Sequence, residues 1–173
     1  LPISSLINAR SESVTEKPSF RNLLSRHRCV MPMNAYYEWK PMKISGKPMK
    51  QPFVFFPGVG SGYDHESHFA VASLWSSWRD REGNELNTCV ALTTEANKRV
   101  SAVHNRMPVL LTKDGIRQWL SDDVVAPLHV AKGIPDEAVQ YFPVSTEVNN
   151  SRNHGPHLLE PVSIAADLPE TLF

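Results

Sequence analysis

The chain has 173 residues and a mass of 19.4 kDa, with 41% hydrophobic and 21% charged residues, a globular composition that excludes disorder as the main state. No run approaches the ~20 apolar residues of a membrane helix, no signal-peptide pattern opens the chain, and Cys29 and Cys89 allow one bridge at most, which fits a reducing, cytoplasmic setting. The net charge is zero but uneven: residues 1–50 hold nine Lys and Arg against three Glu, and the rest nine against fifteen acids.

Residues 1–173 are expected to form one domain, and Leu1 reads as the interior of a longer protein. Fourteen prolines argue against long helices. Phe20, Leu23 and Leu24, with Arg21 and Arg26, predict one or two helical turns over 20–26. Residues 29–31 and 36–39 read as strands, rich in aromatic and β-favouring side chains. Ser45-Gly46-Lys47-Pro48 predicts a hairpin-like turn. Pro52 lacks a ladder donor, which places it first in a strand over 53–56. A Gly/Ser/Asp loop is expected over 58–67. Residues 69–75 and 86–94 predict two strands of a hairpin around the polar turn 80–84. Thr94 is placed as the cap of a helix reaching about Val103. Residues 107–111 read as a strand. Thr112 then opens a helix with Ile116, Trp119 and Leu120 on one face. A turn over 135–138 and a strand over 141–144 follow, and residues 163–173 are expected to fray. The sum is a β-rich α+β domain with short helices at strand ends.

Few residues carry obvious chemistry. Glu38 lies between Tyr37 and Trp39, and a carboxyl among aromatics holds its proton to higher pH, which suits acid–base work. The plainer alternative is a surface carboxylate on a half-exposed strand. His104 sits just before a strand, two residues from Arg106, and an imidazole can donate or accept a proton at working pH; the alternative is a capping or core histidine. Asn8 and Arg10, two apart, share a face on a strand and suit a phosphate or a carbonyl; the alternative is an ordinary strand edge. The basic N-terminal third suits a phosphate backbone or is ordinary solvated charge. His65 and His68, like His154 and His157, are spaced by three but come with no cysteine pair, so no metal is expected. Cys29 beside Val30 and Met31 reads as an inert thiol rather than a nucleophile for His104. No nucleophile elbow, phosphate loop or dinucleotide fingerprint appears, and no cofactor is expected.

Taken in order, several segments resemble the SOS response-associated peptidase (SRAP) family. They are Ile7-Asn8-Ala9-Arg10-Ser11-Glu12-Ser13, Arg28-Cys29-Val30-Met31-Pro32, Tyr36-Tyr37-Glu38-Trp39-Lys40, residues 70–75 and 89–93, and His104-Asn105-Arg106-Met107-Pro108-Val109. Pro143-Val144-Ser145, Asn149-Asn150 and residues 158–162 fit the family's ending. The resemblance implies a β-rich domain of curved, mostly antiparallel sheet with a basic DNA groove. It implies an abasic-site sensor that binds single-stranded DNA and traps the sugar aldehyde on an N-terminal cysteine, as a thiazolidine. Asn8 would orient that cysteine and the sugar, Glu38 would assist ring opening and imine proton transfers, and His104 would act as acid and base. Arg10, Arg21 and Arg106 would meet phosphates, with Phe20 and Trp39 as aromatic contacts to DNA. The chain departs from the family twice: residues 1–173 lack the N-terminal cysteine, and Asn34-Ala35 stand where the family reads Asp-Gly. A monomeric partner of abasic single-stranded DNA, away from membranes, is the resulting expectation. Its rivals are a non-covalent single-stranded DNA-binding module and a thiol peptidase.

Overall fold

A computed structural model describes residues 6–44, 46–58, 68–123, 126–131 and 134–164. The strands, in chain order, are β1 (Asn8–Arg10), β2 (Arg28–Met33), β3 (Tyr36–Ile44), β4 (Lys47–Pro57), β5 (Phe69–Arg79), β6 (Glu85–Glu95), β7 (Arg106–Pro108) and β8 (Val139–Pro143). The α-helix α1 spans Lys113–Leu120, and short 3₁₀ turns punctuate the rest. Strands dominate, as the α+β reading expects. Ser45 of the expected turn, most of the 58–67 loop with His65, and residues 165–173 of the tail lie outside the described residues.

Two sheets form. One runs β1-β6-β5-β2, with β7 also on β6; the other runs β3-β4-β8. All pairings are antiparallel except β1 with β6, which is parallel. β5 shows why the apolar run 69–74 is continuous: side chains alternate between faces, and both faces are covered. Ala70, Ala72 and Leu74 pack with Leu92, Val109, Leu111 and Trp119, while Phe69 and Val71 pack with Phe55, Val100, Met107 and Val139. The β5–β6 hairpin forms as expected, closed by Asp80, whose Oδ1 accepts the N–H groups of Glu82 and Asn84. Gly83 sits there at φ 90°, a conformation open to glycine.

α1 begins as expected, with the Thr112 hydroxyl accepting the Gly115 N–H at 3.1 Å. Trp119 is fully buried, and its indole N–H donates to the Cys29 carbonyl at 2.8 Å. Arg28 clamps the same junction. Its guanidinium donates to the carbonyls of Leu24, Ser25, Trp119 and Ser121, tying β2 to the end of α1.

Three expectations are corrected. Pro52 is not first in its strand; β4 starts at Lys47. Proline is tolerated there because its carbonyl still accepts the Val144 N–H at 3.1 Å, while the Gln51 side-chain amide, in place of the missing Pro52 N–H, donates to the Val144 carbonyl at 2.8 Å. Thr94 caps no helix. It belongs to β6, where it pairs with Met107, and only a 3₁₀ turn over Val100–Ala102 follows. Two adjacent β-branched threonines favour the ladder over a helix start. The strand expected over 107–111 splits into β7 and an isolated bridge from Leu110 to Val71.

Candidate functional site

β3 alternates two environments. Tyr36 and Glu38 share the face of Phe55 and Phe53, their cross-strand partners, and the Tyr36 ring stacks on Phe55 at 4.9 Å. Tyr37 and Trp39 point the other way, toward the 145–162 segment: Tyr37 Oη donates to the Leu158 carbonyl and Trp39 Nε1 donates to Asn149 Oδ1 at 2.7 Å. The Ser145 hydroxyl accepts the Glu147 N–H, starting the 3₁₀ turn Thr146–Asn149 that presents that amide.

His104 arrives from the first sheet. The 3₁₀ turn after β6 ends with its N–H donating to the Val100 carbonyl at 3.0 Å, and β7 starts two residues later. This puts His104 Nδ1 3.5 Å from Glu38 Oε2, across a junction of the two sheets. Both side chains keep partial access to water, 36% for His104 and 24% for Glu38. Glu38, Trp39, Lys50, His104 and Asn149 line one open pocket of about 450 Å³. Burial pushes the Glu38 carboxyl above its usual range, and the neighbouring His104 partly offsets it. Burial, with the Glu38 charge adding to it, also pushes the Tyr36 phenol up strongly. Tyr36 Oη is buried and has no hydrogen-bond partner among the described residues.

The other candidate residues are dispersed. Asn8 and Arg10 are exposed on either side of buried Ala9, on the parallel edge strand beside Ala91 and Thr93. They share a face, as expected, but neither lines the Glu38–His104 pocket. Arg106, expected at a phosphate, has another partner. Its Nη1 and Nη2 donate to Glu12 Oε1 and Oε2 at 2.7 and 2.9 Å, and Nη2 also reaches Thr93 Oγ1 at 3.1 Å. Arg21 is exposed on a separate cavity of about 1000 Å³ that also holds Arg26, Arg28, Asp122 and His129. Phe20 lines an apolar groove of about 670 Å³ with Leu23, Trp75, Trp78, Leu86 and Cys89. Cys29 lies on β2, its thiol pushed up by burial and by Cys89, and does not line the His104 pocket.

Sequence reasoning missed Lys50 and Glu12. Lys50 belongs to a basic hairpin, where Lys40 and Lys43 of β3 face Gln51 and Pro48 of β4 and Lys50 faces Pro41. The excess of lysine over 40–50 is the signal, but only the fold brings one of them to the pocket. Among the described residues no three His, Cys, Asp or Glu side chains converge as a metal would need, and no helix is long and apolar enough to cross a membrane.

Comparison with known proteins gives this arrangement a family. The chain is 35% identical over 159 residues to the abasic site processing protein YoqW of Bacillus subtilis (strain 168), covering 90% of this chain and 66% of YoqW. It is 30% identical over 178 residues to the abasic site processing protein HMCES of Rattus norvegicus, covering 91% of this chain and 50% of HMCES. The chain thus spans about two thirds of the first relative and half of the second. A crystal structure of a Bacteroides thetaiotaomicron protein superposes with a TM-score of 0.76 at 24% identity, over 92% of this chain and 67% of that one, and shares the fold. The family described as SOS response associated peptidase (SRAP) matches residues 2–151, and the chain belongs to it.

Proposed function

We propose that this domain recognises abasic sites in single-stranded DNA and supplies the proton-transfer groups for covalent capture of the ring-opened sugar aldehyde. The observation that carries the reading is the Glu38–His104 pair, 3.5 Å apart in an open pocket, with the carboxyl held above its usual range by burial. Similarity to proteins named for abasic-site processing points to the same substrate.

The chemistry asked of such a pair is specific. Opening the sugar ring moves a proton to the ring oxygen and takes one from the anomeric hydroxyl. An amine then adds to the aldehyde, and water leaves the carbinolamine to give an imine. Each step needs an acid or base poised near neutral pH. A protonated Glu38 would deliver the proton, and His104 would take or return one at the sugar oxygen. Asn8 would orient the sugar and the nucleophile, and Trp39 would offer a face to an unstacked base. Lys50, Arg10 and Arg21 would meet phosphates along the basic part of the chain. Residues 1–173 would supply acid–base and DNA-holding parts of the site.

One observation favours a second reading, non-covalent binding. Neither Cys29 nor Cys89 lines the Glu38–His104 pocket. The test is direct. The protein is mixed with single-stranded DNA carrying one abasic site, or a tetrahydrofuran analogue without an aldehyde, then examined by denaturing gel and intact mass. An adduct with the true abasic site alone supports capture. Salt-sensitive binding to both strands with no adduct supports the non-covalent module. No binding to either strand overturns both readings.

A further inference from the structure

His104 is held by its neighbour's backbone. The Arg106 N–H donates to His104 Nδ1 at 3.2 Å, and the Arg106 carbonyl lies 3.1 Å from the same nitrogen. With Nδ1–H donating to that carbonyl, the neutral ring leaves Nε2 bare to take a proton, and the protonated ring keeps the same bond; Glu38 Oε2 also faces Nδ1, at 3.5 Å. The Arg106 N–H serves the other neutral tautomer. One peptide neighbourhood therefore serves every state of the imidazole. It does so only while the Arg106 backbone stays in place.

Backbone bonds hold the 104–106 turn, with Ala96 N–H donating to the Asn105 carbonyl at 3.1 Å and Arg106 paired with Glu95, and the Arg106 side chain adds a tether to the segment after β1. Its guanidinium forms a two-pronged pair with Glu12, in the turn after β1, and a third bond to Thr93 on β6. The Arg106 side chain is only 18% exposed. The arginine beside it holds the Glu12 carboxyl below its usual range, so the pair is charged at neutral pH. Ser11 N–H donates to the Thr93 carbonyl at 2.9 Å, which fixes the Glu12 turn to the same strand.

We infer that Glu12 is the positioning residue of His104: through the Arg106 fork it holds the 104–106 turn so that the Arg106 carbonyl faces Nδ1 and Nε2 is left free to exchange a proton with the sugar. Glu12 touches no reacting atom in this scheme. The inference rests on the proposed role of His104, but its first test does not require DNA.

The imidazole ¹⁵N resonances of His104 are recorded across pH in the full chain, with His104→Asn for assignment. The wild type is expected to show the neutral tautomer protonated at Nδ1. Glu12→Ala is expected to give a tautomer mixture and a shifted titration, and Glu12→Asp, which keeps a carboxylate for the fork, a spectrum closer to wild type. Unchanged amide resonances from the β5–β6 hairpin report that the variant folds. If Glu12→Ala does not fold, Arg106→Lys, which keeps the charge and loses the fork, takes its place. A wild-type tautomer and titration in the folded variant overturn the inference. Abasic single-stranded DNA is then added. A response of His104 Nε2 in the wild type, reduced about tenfold in apparent affinity or adduct rate by Glu12→Ala, supports the whole scheme. No response in the wild type overturns the proposed role of His104 and leaves the tautomer result to decide the positioning.

Discussion

Two carboxylates reach the 104–106 turn, from different parts of the chain, and the fold holds them in opposite conditions. Glu12 comes from the turn after β1 and meets a guanidinium head-on, with two short bonds of 2.7 and 2.9 Å. Its carboxyl is held below the usual range although its side chain is 46% exposed. Glu38 comes from β3, is less exposed, and meets only an imidazole at 3.5 Å. Burial dominates, and its carboxyl is held above the usual range. A carboxylate fixed in its charged form is a good tether and a poor proton donor. One that keeps its proton toward neutral pH is the reverse. When one fold separates two carboxyls in this way, the separation assigns their roles.

The largest expected effect breaks the Glu38 side. Glu38→Gln keeps the shape and removes the titrating proton, so adduct formation with abasic DNA should slow by about 10²-fold, with single-stranded binding little changed. A single-turnover time course read by denaturing gel checks it. Adduct formation at the wild-type rate would move the proton donor elsewhere in the pocket. Arg106→Ala comes next, on the Glu12 side. It removes the fork and its bond to Thr93, and should cost about 1–2 kcal/mol of stability, since the pair is charge-assisted but half open to water. The denaturant midpoint reads this.

The two carboxyls also predict opposite pH dependences of stability. Glu12 has a folded value below its ordinary 4.5, so its contribution is present above that value and is lost as pH falls through the folded one. Glu38 has a folded value above 4.5, so its contribution is present below the ordinary value and is lost as pH rises through the folded one. Glu12→Gln should therefore flatten the acid limb of the stability curve, and Glu38→Gln the decline just above pH 4.5. Thermal melts over this range separate the two variants. Parallel curves would mean that the two carboxyls share one environment.

The same contrast marks how far the sequence could be read. Glu38 was legible as a carboxyl in an aromatic strand, although the aromatics on its own face are Tyr36 and the cross-strand Phe53, not its sequence neighbours Tyr37 and Trp39. His104 was legible because an imidazole two residues from an arginine, ahead of a strand, is a short-range pattern. Glu12 was not, since its partner lies 94 residues away and the pairing exists only after β1, β6 and β7 align. The partner of Arg106 was hidden for the same reason: a basic side chain near a site reads as a phosphate contact, and its acid is seen only in the fold. Strands, the β5–β6 hairpin and α1 were legible from period and capping. Pro52 and Thr94 were not, because whether a proline or a threonine sits inside a strand depends on which neighbours pair there. The sequence likewise placed Asn149 in a notable segment but did not pair it with Trp39.

That last pairing supplies the smallest expected effect. The Trp39 indole N–H donates to Asn149 Oδ1 at 2.7 Å, which ties β3 to the 146–149 turn along the rim of the pocket. The bond is exposed, and exposed neutral bonds contribute modestly, so Asn149→Ala should cost about 0.5–1 kcal/mol. Its effect on Glu38 should be smaller still, because the burial that raises the carboxyl comes from the opposite face of β3, where Phe53 and Phe55 lie. The decline just above pH 4.5 and the adduct rate should then both follow the wild type in Asn149→Ala, while affinity for single-stranded DNA falls only if Trp39 meets a base. A lost adduct rate with unchanged affinity would show instead that the 146–149 turn sets the proton transfer, and would make Trp39 part of the Glu38 environment rather than a contact surface beside it.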